Sequence, residues 1–215
     1  MTDAPQVVLL HGLLRSRYSM RNMDRFLQKS GFETLNLSYP SRRYPIEQLA
    51  TNHVLPKLTN LEPSKPVHFV THSMGAMIVR CLARQHPSLI LGHVVMLAPP
   101  NQGSEIVDRL AKWSLFSQLI GPAGQQLSTH EGALPAALGK ASFNAGIIAG
   151  DRAGLCLFSR YLPKPHDGKV SVASTKLVGM CDSITVRRSH TFIMNSAEVQ
   201  QQTHHFLKHG QFKHT

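Results

Sequence analysis

The sequence lacks the features that direct a chain into a membrane or build a disulfide framework. Its three cysteines, Cys81, Cys156 and Cys181, are odd in number and far apart, and their spacing does not fit a metal site. No apolar run approaches the roughly 18 residues that a membrane-spanning helix needs. The N-terminus shows no basic segment followed by an apolar segment, so no signal peptide is predicted. We therefore expect a soluble, reduced, cytoplasmic protein.

Acidic residues are also scarce. The 215 residues include 12 Asp and Glu against 23 Lys and Arg, which gives a formal net charge of +11. The basic residues are spread along the chain without a dense block or an aromatic-rich basic stripe, so no nucleic-acid partner is predicted. A solvated basic surface explains this charge. Attraction to an anionic membrane surface or to an anionic substrate is the alternative. Arg15 and Arg17, near the predicted mouth of the site, favour an anionic substrate.

Apolar runs typical of buried strands alternate with segments of helical periodicity. This alternation indicates an α/β fold with a mostly parallel central sheet and helices on both faces. The length suits one domain over residues 1–215, with segment 114–140 as a loosely helical insertion that could cover the sheet edge or form a small lid. The predicted extended segments are 6–11, 33–37, 67–70, 92–98, 142–150, 176–180 and 183–187.

A short turn joins a predicted strand at 67–70 to a predicted helix that begins near Gly75. The turn, Thr71-His72-Ser73-Met74-Gly75, is so short that it would push the Oγ of Ser73 out at the carboxyl edge of the sheet. We interpret Ser73 as a nucleophile, with an ordinary helix N-cap as the alternative. The motif usually begins with Gly, where this chain has Thr71.

A serine nucleophile needs a histidine base, and the base needs a carboxylate that orients it. Among thirteen histidines, His190 fits because it follows the last predicted strand and precedes the last predicted helix. Asp167 lies in a turn that can aim a carboxylate at His190, and Asp151, which ends the strand at 142–150, is the alternative. The histidines of the C-terminal tail are interpreted as solvated. No metal ion and no cofactor are predicted.

The predicted reaction also needs two N–H groups that face the developing oxyanion. We assign them to Met74, directly after Ser73, and to Leu13, in the loop after the first strand. An acyl pocket could be lined by the residues assigned to substrate binding together with Trp113, Leu119 and Ile120. Ordinary packing of these side chains is the alternative. Those assigned residues are His11, Gly12, Leu14, Pro100, Leu115 and Phe116. For His11, the alternative is a hydrogen-bonded histidine at the end of a strand.

Taken in order, these motifs resemble the lipase and esterase branch of the α/β-hydrolases. The segments that carry the resemblance are Leu10-His11-Gly12-Leu13, 71–75, 98–104, 167–170 and Ser189-His190, so it covers nearly the whole chain. The sequence is similar to small bacterial lipase-like hydrolases with a minimal or absent cap domain. The resemblance implies the triad Ser73, Asp167 and His190, with Leu13 and Met74 at the oxyanion hole.

We therefore predict a serine hydrolase that cleaves small-molecule or lipid esters through an acyl-enzyme intermediate. An acyltransferase or a thioesterase with the same triad is an alternative, because the fold does not determine the substrate. A weakly active scaffold that binds anionic lipid or a protein partner is the alternative from another class. The net charge of +11 and Thr71 motivate it.

Overall fold

A parallel sheet of six strands forms the centre of the molecule and confirms the predicted fold class. The computed structural model describes residues 4–86, 89, 91–154 and 159–214, so Cys156 lies outside the described residues. The strand order is β2-β1-β3-β4-β5-β6. The strands are β1 Gln6–Leu10, β2 Glu33–Leu37, β3 Val67–His72, β4 Leu91–Leu97, β5 Ala145–Gly150 and β6 Asp182–Val186.

Helices cover both faces of this sheet. They are α1 Arg21–Lys29, α2 Ile46–Gln48, α3 Leu55–Leu58, α4 Gly75–Gln85, α5 Glu105–Leu110, α6 Ser114–Gln125, α7 Leu134–Ala137, α8 Val172–Thr175 and α9 Ala197–His209. Because successive side chains of a strand point to opposite faces, β1 contributes Val8 and Leu10 to one apolar cluster and Val7 and Leu9 to another. The first cluster includes residues of α4, and the second includes residues of α1 and α9.

A π-helical turn at Leu49–Val54 joins α2 to α3. Pro56 lies in the first turn of α3 and has no N–H to donate to a carbonyl one turn earlier. Helical structure is therefore continuous from Ile46 to Leu58, with the π-helical turn between its two α-helical parts.

The extended segment predicted at 176–180 is wrong. This segment lies outside the sheet and follows α8, with Lys176 N–H donating to the carbonyl of Ala173 and Met180 N–H donating to the carbonyl of Leu177. Gly179 has a left-handed φ of +83°, which turns the chain toward β6.

The region between β4 and β5 contains α5, α6 and α7, of which α6 and α7 lie within residues 114–140. The helix α6 is kinked at Gly121, which has a φ of +64° and precedes Pro122. Within the described part of the chain, no helix is both long and apolar enough to cross a membrane.

A buried arginine attaches this region to α4. Arg80 is 4% exposed and donates to the carbonyls of Asn101 at 3.0 Å, Pro135 at 2.8 Å and Gly139 at 2.8 Å. Asn101 in turn donates through its amide to the carbonyl of Thr175 at 2.9 Å. One side chain of α4 thus holds the turn after β4 and the segment around α7, and Asn101 extends this network to α8.

Candidate active site

The turn after β3 holds Ser73 in a strained conformation. Its φ is +54°, a left-handed value that a residue other than glycine rarely adopts and that costs of the order of 1–3 kcal/mol. The Ser73 N–H donates to the carbonyl of Leu97 in β4 at 2.9 Å. Two residues on, a Cβ at Gly75 would lie 2.8 Å from the carbonyl oxygen of Leu10. Glycine is therefore needed where α4 begins against the end of β1, and this close packing fixes the turn.

Thr71 fits at the position where the motif usually has glycine. It is fully buried in β3, between Leu10 of β1 and Met96 of β4. Its Oγ1 has no hydrogen-bond partner among the described residues. The turn after it still holds Ser73 in the left-handed region. Thr71 therefore leaves a buried hydroxyl unpaired without preventing the turn.

The structure brings Ser73, His190 and Asp167 together in a hydrogen-bonded chain. His190 Nε2 lies 3.0 Å from Ser73 Oγ, and His190 Nδ1 lies 2.7 Å from Asp167 Oδ2. Asp167 is 1% exposed and His190 is 5% exposed, so water is largely excluded from the pair. This arrangement lets the carboxylate hold the imidazole with its Nε2 toward the serine hydroxyl.

The backbone around Asp167 fixes this carboxylate. Its Oδ1 accepts hydrogen bonds from the N–H groups of Lys169 at 2.9 Å and Val170 at 2.8 Å. The N–H of His190 donates to the carbonyl oxygen of Asp167 at 3.0 Å, so the acid and the base are also joined through the main chain. These contacts to both carboxylate oxygens and to the main chain restrict the orientation of Asp167.

Asp151, the alternative acid, is not part of this arrangement. Its side chain is exposed at the end of β5, and its N–H donates to the carbonyl of Val186. Asp182 accepts from the Phe212 N–H and from His214, near the C-terminus of the chain. Asp167 is therefore the carboxylate that contacts His190.

His72, which precedes Ser73, contacts the base as well. Its Nε2 lies 2.9 Å from the carbonyl oxygen of His190, so this nitrogen must carry the proton and donate. The two rings are 4.9 Å apart between centroids. Burial, followed by the positive potential of His190, Arg15 and Lys169, lowers the pKa of His72 well below its usual value. His72 is therefore neutral at physiological pH.

The loop after β1 approaches the serine from the other side. A Cβ at Gly12 would lie 3.0 Å from His72 Nδ1 and 3.1 Å from the Cβ of Ser73, so glycine permits this approach. Leu14 has a left-handed φ of +57°, and its N–H donates to Ser41 Oγ at 3.1 Å. In the described part of the chain, the N–H groups of Leu13 and Met74 donate to no acceptor. The assignment of these two N–H groups to an oxyanion hole stays a prediction.

A cavity of about 220 Å³ opens beside Ser73 and His190. Four of the residues assigned to substrate binding line it, namely Gly12, Leu14, Pro100 and Phe116. The helices α5 and α6 contribute most of its apolar surface through Ile106, Val107, Phe116, Leu119 and Ile120.

Two of the residues assigned to substrate binding do not line this cavity. Leu115 is 79% exposed and is not among the lining residues. Trp113, suggested as a lining residue, is 60% exposed and is also outside the lining.

His11 is the second residue that lies outside the lining. It is fully buried, and its ring stacks on Tyr39 with 4.0 Å between centroids. Its Nδ1 lies 2.8 Å from the carbonyl oxygen of Gly12, and the Tyr39 hydroxyl donates to the carbonyl oxygen of His11. Burial lowers the pKa of His11 to about 4. These contacts fit the alternative interpretation of His11, a hydrogen-bonded histidine at the end of a strand.

Several lining residues were not assigned from the sequence. Lys169 and Val170 come shortly after Asp167 in the chain, and this proximity could have identified them as lining residues from the sequence. Ile106 and Val107 form part of the buried face of α5, which the apolar spacing of that helix could have indicated. Ser104 and Leu127 come together through a backbone hydrogen bond across 23 residues, for which no local signal exists.

Solved structures share this architecture at low sequence identity. A lipase, BlEst2 of Bacillus licheniformis in its mature form, aligns over 97% of this chain and 92% of its own, with 16% identity and a TM-score of 0.72. The phospholipase PlaB from Legionella pneumophila aligns over 96% of this chain and 58% of its own, with 16% identity and a TM-score of 0.66. The type II thioesterase BorB from the borrelidin biosynthetic cluster aligns over 96% and 92%, with 18% identity and a TM-score of 0.61.

At these identities the structural likeness concerns the fold alone. No curated protein matches the sequence significantly. A family model described as alpha/beta hydrolase fold matches residues 5–138, which is more than half of the chain and includes the turn that holds Ser73. The chain therefore belongs to the α/β-hydrolase fold family.

Proposed function

We propose that this protein is a serine hydrolase that cleaves carboxylic esters with apolar acyl chains, with Ser73 as the nucleophile. The observation that carries the proposal is the continuous chain of hydrogen-bond distances from Asp167 through His190 to Ser73, at 2.7 and 3.0 Å. A serine hydroxyl is weakly nucleophilic at neutral pH, and such a base makes its attack feasible.

In the first step the Ser73 oxygen attacks the ester carbonyl while His190 Nε2 takes the hydroxyl proton. The N–H groups of Leu13 and Met74 stabilise the negative charge that develops on the carbonyl oxygen. Each such donor contributes about 10²–10³ in rate in enzymes of this type. Asp167 stabilises the imidazolium that forms, because its carboxylate already faces His190 Nδ1.

The tetrahedral intermediate collapses when His190 returns the proton to the leaving alcohol oxygen. This breaks the ester bond and leaves the acyl group on Ser73. A water molecule, deprotonated by the same histidine, then attacks the acyl-enzyme and releases the carboxylic acid. The apolar surface of α5 and α6 beside Ser73 would hold the acyl chain during both steps.

A thioester substrate is the second candidate. The same nucleophile, base and oxyanion donors would cleave it, and the structures that share the fold include a type II thioesterase as well as lipases. Contact with an anionic membrane surface and a cytoplasmic location remain predictions from composition.

Ser73→Ala tests the proposal. A panel of nitrophenyl esters and acyl thioesters is assayed with the wild type, Ser73→Ala and the control Ser64→Ala, which changes an exposed serine in the loop before β3. We expect Ser73→Ala to lower kcat by at least about 10⁴-fold and Ser64→Ala to leave it unchanged. A fluorophosphonate probe should label the wild type and Ser64→Ala but not Ser73→Ala.

The same experiment separates the hydrolase from a scaffold that only binds. A folded wild-type protein that neither turns over an ester nor reacts with the probe would contradict the proposal. Equal turnover by Ser73→Ala would remove Ser73 from the mechanism. Circular dichroism of each variant shows whether the fold is retained.

A further inference from the structure

Two cationic side chains line a cavity whose remaining surface is mostly apolar. Arg15 and Lys169 belong to the lining beside Ser73 and His190, whereas Leu14, Val170 and the residues of α5 and α6 make its apolar part. The lining contains no carboxylate among the residues that the structure describes. Two cations would be unfavourable in a cavity that binds only an acyl chain, because they lose hydration when an apolar group covers them.

Two carboxylates lie close to the lining residues in sequence, and both accept hydrogen bonds from their neighbours. Asp167 accepts from His190 and from two backbone N–H groups. Glu105, at the start of α5, accepts through Oε1 from the hydroxyl groups of Ser171 at 3.0 Å and Ser174 at 2.7 Å, and its buried Oε2 has no partner among the described residues. Arg15 and Lys169 both contribute to the lowered pKa of His72, after burial and His190, so their positive charges act on the residues around Ser73.

The two cations belong to the segments that also hold the proposed oxyanion donor and the proposed acid. Arg15 follows Leu13, the proposed oxyanion donor, by two residues in the loop after β1. The backbone N–H of Lys169 donates to Asp167 Oδ1, so Lys169 lies on the side of His190. His190 must protonate the leaving group, which therefore lies on the same side as Lys169.

We propose that the cavity selects acyl esters or thioesters whose alcohol or thiol part carries a negatively charged group close to the scissile bond. Arg15 and Lys169 bind that group, while the acyl chain lies along α5 and α6. This inference rests on the proposed hydrolase function and names its substrate class. The leaving group departs as a neutral hydroxyl or thiol at the reacting atom, with its second, anionic group still held by the two cations.

A matched series of octanoyl thioesters tests the proposal, because free thiol release is measured directly for every member. The thiol parts are mercaptoethanol, which is neutral, thiocholine, which is cationic, and mercaptoethanesulfonate, mercaptopropionate and mercaptoethyl phosphate, which are anionic. We expect kcat/KM to be at least about tenfold higher for the best anionic thioester than for the neutral one, and lowest for the cationic one. The ranking of the three anionic members distinguishes sulfonate, carboxylate and phosphate.

Variants assign the selectivity to the two cations. Arg15→Gln and Lys169→Gln should each reduce the ratio of anionic to neutral kcat/KM, and the double variant should bring it close to one. Arg17→Gln is the matched control, because its guanidinium lies 5.5 Å over the exposed Tyr18 ring and outside the cavity lining. It should leave the ratio unchanged. Raising the salt concentration from about 20 to about 500 mM should lower the wild-type ratio, because salt screens exposed charges.

The outcomes separate the two proposals. Turnover that depends on Ser73 but shows no preference for anionic thioesters overturns the substrate inference and leaves the hydrolase proposal intact. A preference that survives in the double variant also overturns it. Absence of Ser73-dependent turnover for the whole series would contradict the hydrolase proposal and, with it, the inference that rests on it.

Discussion

The two walls of the cavity are built in different ways. The wall at the strand ends, which carries Ser73, Asp167 and His190, is buried and held by hydrogen bonds of 2.7 to 3.0 Å. The helical wall, made by α5 and α6, is held by apolar packing and leaves Leu119 50% exposed. The difference indicates that the positions of Ser73, Asp167 and His190 are closely determined, whereas the surface proposed to bind the acyl chain can change without disturbing them.

Asp167→Asn should produce the largest effect, because it removes the carboxylate that contacts His190 at the strand ends. With Oδ1 still accepting from Lys169 and Val170, the amide nitrogen of Asn would face His190 Nδ1 and favour the tautomer whose Nε2 carries the proton. We expect kcat to fall about 10⁴-fold with a retained fold. Steady-state kinetics and thermal unfolding of the variant measure both. A loss below about tenfold would contradict the assigned role.

Arg80→Met breaks the attachment of the helical region to α4. It leaves the carbonyls of Asn101, Pro135 and Gly139 without this donor, and each buried unpaired group costs about 1–3 kcal/mol, offset in part by removal of a buried charge. We expect the free energy of unfolding to fall by roughly 2–4 kcal/mol. Arg84→Met is the control for burial, because the exposed Arg84 of the same helix donates to the carbonyl of Ala137 in α7, and it should change the free energy of unfolding by less than about 1 kcal/mol. Urea unfolding measures both, and equal effects would contradict the role of Arg80.

Acid should destabilise the folded protein through histidines that are buried at the strand ends. Burial lowers the pKa of His11 to about 4, whereas an unfolded histidine titrates near 6.5. Between these values the unfolded chain binds more protons, so stability falls as the pH falls from about 6.5 to about 4. His11 would contribute a loss of roughly 1–3 kcal/mol over this range. His11→Asn should flatten the pH dependence of the urea midpoint, and a slope identical to that of the wild type would contradict this.

The helical wall gives a smaller and more local effect. Leu115 and Leu119 lie one turn apart on α6 and are both exposed, yet only Leu119 lines the cavity. We expect Leu119→Asp to lower kcat/KM about tenfold for long acyl chains and little for acetyl esters, because apolar contact with the chain is lost. Leu115→Asp should change neither. A chain-length series of nitrophenyl esters measures the contrast, and equal effects of the two variants would remove Leu119 from the acyl site.

The smallest effect concerns the unpaired hydroxyl of Thr71. Valine has the same shape without a hydroxyl, so Thr71→Val removes a buried polar group that lacks a partner. We expect the free energy of unfolding to rise by about 1 kcal/mol without loss of activity. Chemical unfolding and ester hydrolysis check both. A less stable variant would show that the hydroxyl is paired in solution.

Much of this architecture could be predicted because it depends on local patterns. Continuous apolar runs indicated the parallel strands, and the chain order of Ser73, Asp167 and His190 follows from where strands end in such a sheet. The contact between Asp167 and His190 could be anticipated for the same reason. What remains a prediction is the chemical role of these residues.

Other features depend on contacts that no local pattern reveals. The side of α6 that lines the cavity depends on the packing of Phe116 against Ile106 and Leu110 of α5, which no local pattern reveals. The stacking of His11 on Tyr39 joins residues 28 positions apart. The segment 176–180, predicted as extended, has apolar residues typical of a strand. It lies outside the sheet because it follows α8 directly and turns at Gly179.

The hydrogen bond from His72 to the carbonyl oxygen of His190 joins the end of β3 to the segment that follows β6. His72 is covalently adjacent to Ser73, and Ser73 Oγ lies 3.0 Å from His190 Nε2, so the two segments are connected at two points. Two such connections restrict how far either segment can move relative to the other.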